Sequence, residues 1–239
     1  MKKILVPTLI AAAIASLTSV AHAAEPESTL SFNAGVVSDY RYRGLSQSRL
    51  KPALQGGVDY ADKSGFYVGA WGSSIKWIKD GNGGNAPVEI DLYGGYKGAA
   101  GDVGYDVGFL RYQYSGNKMT PNANTNEVYG ALTYGLFTAK YSHALTDLFG
   151  TADSKGAYYL DLSATFDLGS GYTLTPHVGR QGNYSAAYND YSLTLTKDLG
   201  NGLAASLMLV DTNAVVDKSL NAGKDTAKSG VVVGLKYSF

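Results

Sequence analysis

In the stretch "VVVGLKYSF", residues 231–239, apolar and aromatic side chains fall at every second position: Val231, Val233, Leu235, Tyr237 and Phe239. Val232, Gly234, Lys236 and Ser238 occupy the places between them. A period of two is that of an extended strand whose side chains point alternately to opposite faces, and a helix cannot produce it. The pattern recurs along the chain. In "YYLDLSATFDL" Leu160, Leu162, Ala164, Phe166 and Leu168 alternate with Asp161, Ser163, Thr165 and Asp167, and in "VEIDLYGGYK" Val88, Ile90, Leu92 and Tyr96 alternate with Glu89, Asp91, Tyr93 and Lys97. The periodicity predicts twelve strands, at roughly 29–43, 52–60, 65–76, 87–97, 102–115, 125–135, 136–146, 156–168, 171–183, 189–199, 202–212 and 228–239. Chain ends are usually poorly ordered unless pinned, so an apolar strand reaching Phe239 is expected to be built into a sheet.

The connections sort by parity. After the even-numbered strands they are short, "DKSG", "GAAG", Gly135, "GSG" and "GNG", which is the chemistry of tight hairpins. After the odd-numbered strands they are longer and more polar, as in "KDGNGGNA". An even strand number with short turns on one rim and long loops on the other predicts an all-β fold: a transmembrane antiparallel up-and-down β-barrel of about 12 strands, with short periplasmic turns and longer extracellular loops. A soluble barrel shows the same alternation with its apolar face inward, so periodicity alone does not choose between them. Bulk favours the membrane, because an inward apolar face would have to absorb Tyr, Phe and Leu from all these strands. Tyr40, Tyr42, Tyr112, Tyr114, Tyr172, Tyr191 and Tyr237, near segment ends, are expected to form interfacial girdles.

Residues 1–23 carry Lys2 and Lys3, an apolar stretch, and Ala21 and Ala23 around His22, the pattern of a secretory signal cleaved after Ala23. Residues 24–239 are then the barrel. No later apolar run approaches the roughly 18 residues that a membrane-spanning helix needs. The chain has no cysteine, and beyond residue 23 only His143 and His177 remain. Disulfides, a structural zinc site and a cofactor are therefore not expected. Loss of Lys2 and Lys3 leaves acids slightly in excess of bases, a balance that disfavours nucleic acid as a partner.

Residues 36–60, "VVSDYRYRGLSQSRLKPALQGGVDY", and then "SGFYVGAWGSS" contain three ordered blocks: Ser38, Asp39, Tyr40, Arg43, Gly44, Ser46 and Gln47; then Pro52, Ala53, Gln55 and Gly56; then Gly65, Tyr67, Gly69 and Trp71. The set resembles the N-terminal pattern of the TorF family of porin-type proteins. The resemblance implies an outer-membrane barrel whose solutes are largely undefined, and it brings no catalytic residues with it.

If the apolar face meets lipid, the lumen receives the other set. On strand 1 these are Asn33, Asp39, Arg41 and Arg43; on strands 4 and 5, Glu89, Asp91, Lys97, Asp102 and Asp106; further round, Glu127, Lys140, Asp161, Asp167, His177, Asp198 and Lys236. Acids outnumber bases, so a water-filled lumen of this kind is expected to favour cations weakly. Arg41 and Arg43, on one face with Asp39, suit either one side of a constriction or a rim ion pair that fixes the first loop. The expected function is passive diffusion of small hydrophilic solutes or ions. Alternatives are a closed structural or adhesive barrel, or an outer-membrane lipid hydrolase. An enzyme is not expected, because Ser142 and His143 are adjacent and face opposite sides, out of reach as nucleophile and base. "KDGNGGN", residues 79–85, lacks the spacing of a calcium loop and reads as a plain loop. Expected partners are outer-membrane lipid, lipopolysaccharide facing rim lysines such as Lys51 and Lys118, and the barrel assembly machinery, for which Tyr237 and Phe239 resemble a terminal signal.

Overall fold

The computed structural model describes residues 28–184 and 186–239, so the expected signal segment at 1–23 lies outside the described residues. Twelve strands form one closed sheet. They are β1 (Thr29–Val37), β2 (Ala53–Ala61), β3 (Phe66–Ser74), β4 (Val88–Ala100), β5 (Val103–Gln113) and β6 (Thr125–Tyr134). Then come β7 (Phe137–Ala144), β8 (Tyr158–Ala164, resuming as Phe166–Gly169), β9 (Tyr172–Gly182), β10 (Tyr188–Gly200), β11 (Leu203–Thr212) and β12 (Gly230–Ser238). Every strand pairs antiparallel with its neighbours in sequence, and β12 pairs back onto β1 from Asn33↔Ser238 to Val37↔Gly234. Phe32 and Phe239 extend that seam by exchanging backbone hydrogen bonds at 2.8 and 3.0 Å. Among the described residues no strand edge of this sheet is left open, as a sheet in lipid requires.

The short connections close as the sequence predicts. Asn201 (φ 52°) and Gly202 (φ 80°) join β10 to β11 with positive φ at both central positions, the mark of a type I′ hairpin that follows the strand twist. The longer connections, 38–52, 75–87, 114–124, 145–157 and 213–229, all lie at the opposite rim. A single helical turn, α1 (Trp77–Asp80), and a 3₁₀ turn at Lys218–Asn221 interrupt two of them. Among the described residues no helix is long and apolar enough to cross a membrane.

The burial pattern is inverted relative to a soluble protein. Leu162, Leu193 and Leu235 are 53%, 39% and 49% exposed, whereas Glu89, Asp91 and Glu127 are buried. Apolar side chains outside and polar ones inside are stable only if hydrocarbon covers the outer belt. Rings gather at the short-turn rim, where Phe239 stacks on Phe32 and Tyr237 at 5.7 and 5.4 Å, and Phe66 meets Tyr96 at 5.0 Å.

Three expectations need correction. Strand 1 stops at Val37 rather than at 43, and residues 38–52 turn into the barrel, where Arg41–Tyr42 and Leu45–Ser46 form a small hairpin. Asp39, Arg41 and Arg43 therefore stand on an inserted segment and not on the wall. Tyr40, Tyr42, Tyr112 and Tyr114 belong to no girdle, because their rings fill the interior, with Tyr172, Tyr191 and Tyr237 alone of that set facing outward. Asp102 sits exposed in the two-residue turn between β4 and β5 and lines no lumen.

The facing of each strand is directly testable. Arginine at Leu162, Leu193 or Leu235 is expected to lower membrane stability by about 2–4 kcal/mol at mid-bilayer depth, whereas arginine at the inward Ser163 or Ser192 costs far less. Equal costs at both sets in a lipid-refolding titration would contradict this register.

Candidate functional site

The inserted hairpin turns at Arg43 (φ 45°) and Gly44 (φ 81°), again with positive φ at both central positions. Glycine is required at the tip for a second reason. A Cβ on Gly44 would stand 2.7 Å from the Asp190 Cβ and 2.9 Å from the Thr212 Cβ, so the tip is pressed against β10 and β11. The strained φ of Arg43 persists because its side chain is held from several sides. One guanidinium nitrogen donates to both Glu127 oxygens on β6, at 2.9 and 2.8 Å, and another donates to Gln181 Oε1 on β9 at 2.8 Å. The Tyr159 ring of β8 lies 4.4 Å from the guanidinium carbon and Tyr42 lies 4.8 Å from it. Arg43 thus ties the hairpin, which follows β1, to the stretch of wall from β6 to β9 across the lumen.

Arg41 does other work. It pairs with Asp39 at 2.5 Å and donates to the Gly44, Thr226 and Lys228 carbonyls, which binds the hairpin to itself and to the loop before β12. Asp39 also accepts from Ser46 and Ser48 at 2.5 and 3.0 Å, closing the segment into a compact unit. Tyr40 donates to Glu89 on β4 at 2.6 Å, as does Tyr114, and its ring meets Trp71 edge-on at 5.4 Å. Burial first, and then the Glu89 carboxylate, push the Tyr40 phenol's pKa well up, so it stays a neutral donor. Tyr42 shares a 2.6 Å hydrogen bond with Tyr112, which in turn donates to Glu127. Ser38 anchors the entry by exchanging hydrogen bonds with the Val233 backbone, and Gln47 anchors the exit, its carbonyl accepting from Lys76 and Trp77. Pro52 stands just before β2, and Gln55 on that strand reaches Ser73. The first block of the sequence motif and Trp71 are thus parts of this hairpin and its dock, whereas Gly65 lies in the short turn before β3 and Tyr67 donates to Asp106 further along the wall.

Beside the hairpin lies a partly open pocket, with Arg41, Arg43, Lys140, Asp161, His177 and Asp190 among its lining residues. Of the expected lumen residues, Glu89, Asp91 and Glu127 are buried against the hairpin's dock, and Lys140 and Asp161 line the pocket. Asp106, which accepts from Tyr67 at 2.6 Å, and the half-buried Lys236 lie further along the wall, and Asp167 and Asp198 sit exposed near the short-turn mouth. Sequence reasoning missed Asp59, Gln181 and Asp190, although the alternation of β2, β9 and β10 puts all three on the inward face. Lys140 rests over the Tyr129 ring at 4.0 Å. His177 is held between Asp161 at 3.1 Å and Asp190 at 3.7 Å, one ring nitrogen to each. Only Nε2 lies within hydrogen-bond reach of a carboxylate, and the Tyr159 hydroxyl approaches the same nitrogen at 3.3 Å. Ser142 faces the lumen and the adjacent His143 the outside, where it stacks on Tyr141.

A closed barrel with an apolar belt, a charged interior and an inserted loop defines a protein of the outer-membrane porin fold. The chain belongs to the family described as bacterial protein of unknown function (Gcw_chp), whose profile matches residues 21–239. Among curated proteins there is no match to this chain. Similar solved structures include the KdgM porin in complex with disordered oligogalacturonate, at TM-score 0.57 and 10% identity over 89% of this chain and 99% of that one. The NanC porin aligns at 0.54 and 12% identity over 88% and 99%. The outer membrane protein Omp33 of Acinetobacter baumannii aligns at 0.51 and 6% identity over 90% and 100%. At these identities the likeness is one of fold.

Gly44→Ala is expected to dislodge the hairpin through its clash with β10 and β11. Arg43→Ala leaves Glu127 buried and unpaired, a defect of about 3–5 kcal/mol. Both variants should expose residues 38–52 to limited proteolysis at doses that leave the unmodified barrel intact, and resistance equal to that of the unmodified protein would mean the tip is not seated as described.

Proposed function

We propose that this chain is a narrow outer-membrane porin of the TorF type, exported with cleavage after Ala23, that passes small hydrophilic solutes and ions by passive diffusion with a weak preference for cations. The observation that carries the reading is a closed, lipid-facing barrel with a pocket lined by charged side chains beside the inserted hairpin. The inward wall adds sign. Asp59, Glu89, Asp91, Asp106, Glu127, Asp161 and Asp190 face Lys97, Lys140 and Lys236, and the hairpin adds Arg41, Arg43 and Asp39. Charged walls of low dielectric bias which ions enter, and here carboxylates are in excess. The hairpin is the constriction of this pathway. Tyr237 and Phe239 serve the assembly machinery as a terminal signal, and rim lysines meet lipopolysaccharide phosphates.

A second reading has its own support. Tyr40, Tyr112, Tyr114 and Tyr129 pack with Ile75, Ile78 and Leu110 into a buried cluster inside the loop end of the barrel. A barrel filled in this way can also be a closed scaffold that presents its loops.

Recording from single refolded barrels in planar bilayers separates the two. The porin reading expects small conductance steps with modest cation selectivity at 0.1 M salt, fading at 1 M as the Debye length falls from about 10 to about 3 Å. It also expects conductance to rise several-fold in Gly44→Ala or Arg43→Ala. Silent bilayers from both the unmodified protein and these variants would favour the closed scaffold, and anion selectivity would reverse the assigned role of the wall charges.

A further inference from the structure

We infer that Asp91 and Glu89 together hold a divalent cation of the calcium type inside the barrel. The starting point is an unpartnered group. Asp91 is 0% exposed and neither of its carboxylate oxygens has a hydrogen-bond partner, although buried polar atoms are nearly always paired. An isolated carboxylate taken out of water is among the most unfavourable groups a protein can bury, so something must compensate it.

The neighbourhood tells what is missing. Glu89 lies two residues before Asp91 on β4, hence on the same inward face. It accepts from Tyr40 and Tyr114 at 2.6 Å each, but phenols are neutral donors and leave its charge in place. Glu127 has its own cation in Arg43. Trp71 and Tyr112, directly opposite Asp91 on β3 and β5, bring no charge. Lys140 is turned to the Tyr129 ring, and Arg41 is matched by Asp39. Glu89 and Asp91 therefore present two unmatched negative charges. A proton on Asp91 would neutralise only one of them, whereas a divalent cation balances both.

The donor chemistry selects the ion. Every candidate ligand is an oxygen, which suits a hard cation and not a soft one. Among the described residues no three metal-ligating His, Asp or Glu side chains converge, so phenol oxygens or water must complete the shell. Calcium accepts such irregular oxygen sets, while magnesium demands a near-ideal octahedron. Because Glu89 also receives Tyr40, the ion sits at the foot of the hairpin's dock. The inference does not depend on whether solutes pass.

The test uses the whole barrel, refolded in detergent, stripped with EDTA and titrated with calcium chloride. Calorimetry should find one calcium per chain, and the unfolding midpoint should rise by roughly 5 °C at a hundredfold excess over Kd. Asp91→Asn should lose both responses, and Asp153→Asn, on an exposed loop, should keep them. If Asp91→Asn fails to refold, Glu89→Gln and the stoichiometry of the unmodified protein decide. No calcium binding to the unmodified barrel, equal binding after Asp91→Asn, or a sodium response as large as that to calcium would overturn the inference.

Discussion

A sheet in hydrocarbon cannot leave backbone groups unpaired, and here that constraint falls on the seam between β1 and β12. The pairing from Asn33↔Ser238 to Val37↔Gly234, extended by Phe32 and Phe239, turns an open sheet into a cylinder. Closure separates two environments. Outward positions are left to lipid and take Leu, Val and Phe, while inward positions are left to whatever fills the cylinder. In this barrel the filling at the loop end comes from the chain itself, through residues 38–52 and the tyrosines packed around them.

The inserted hairpin shows how a charged segment can be lodged in a protein interior. Its arginines are each neutralised by a carboxylate, Arg41 by Asp39 within the hairpin and Arg43 by Glu127 on the wall. Buried ion pairs contribute little net stability compared with apolar packing, yet losing one partner is costly, so they fix position more than they strengthen the fold. The neutral phenols of Tyr40 and Tyr42 supply the remaining contacts. The hairpin is thereby held at a defined place and leaves a polar pocket beside it, where His177 sits between Asp161 and Asp190. This division into a packed part and an open part underlies both functional readings.

Most of the barrel was legible in the sequence because period-two alternation and glycine turns are local signals. The twelve spans, the parity of short and long connections and the facing of Leu162, Leu193 and Leu235 follow from them. The end of β1 did not, for a physical reason. Asp39, Tyr40, Arg41, Tyr42 and Arg43 keep the alternation going, and the change of direction rests on a positive φ at Arg43 that an arginine does not announce. Gly44 was the available signal, though Arg-Gly is a weaker hairpin cue than Asn-Gly. The interior tyrosines were misplaced because a ring near a strand end looks the same whether it meets a headgroup or a cavity. Which carboxylates would find partners depends on contacts between distant strands, so the isolation of Asp91 had no signature in the sequence.

The central claim is that residues 38–52 form a fixed part of the barrel interior, clamped by Arg43 to β6 and β9. Hydrogen–deuterium exchange of the unmodified protein in lipid tests it most directly. The amides of Ser46 and Gln47, which donate to Thr226 and Tyr40 at 2.9 and 2.7 Å, should exchange on the timescale of the barrel strands and far more slowly than those of the exposed Val215 and Asp217 in the loop before β12. Exchange across 38–52 as fast as at those two residues would mean the segment spends its time outside the lumen and is not clamped by Arg43.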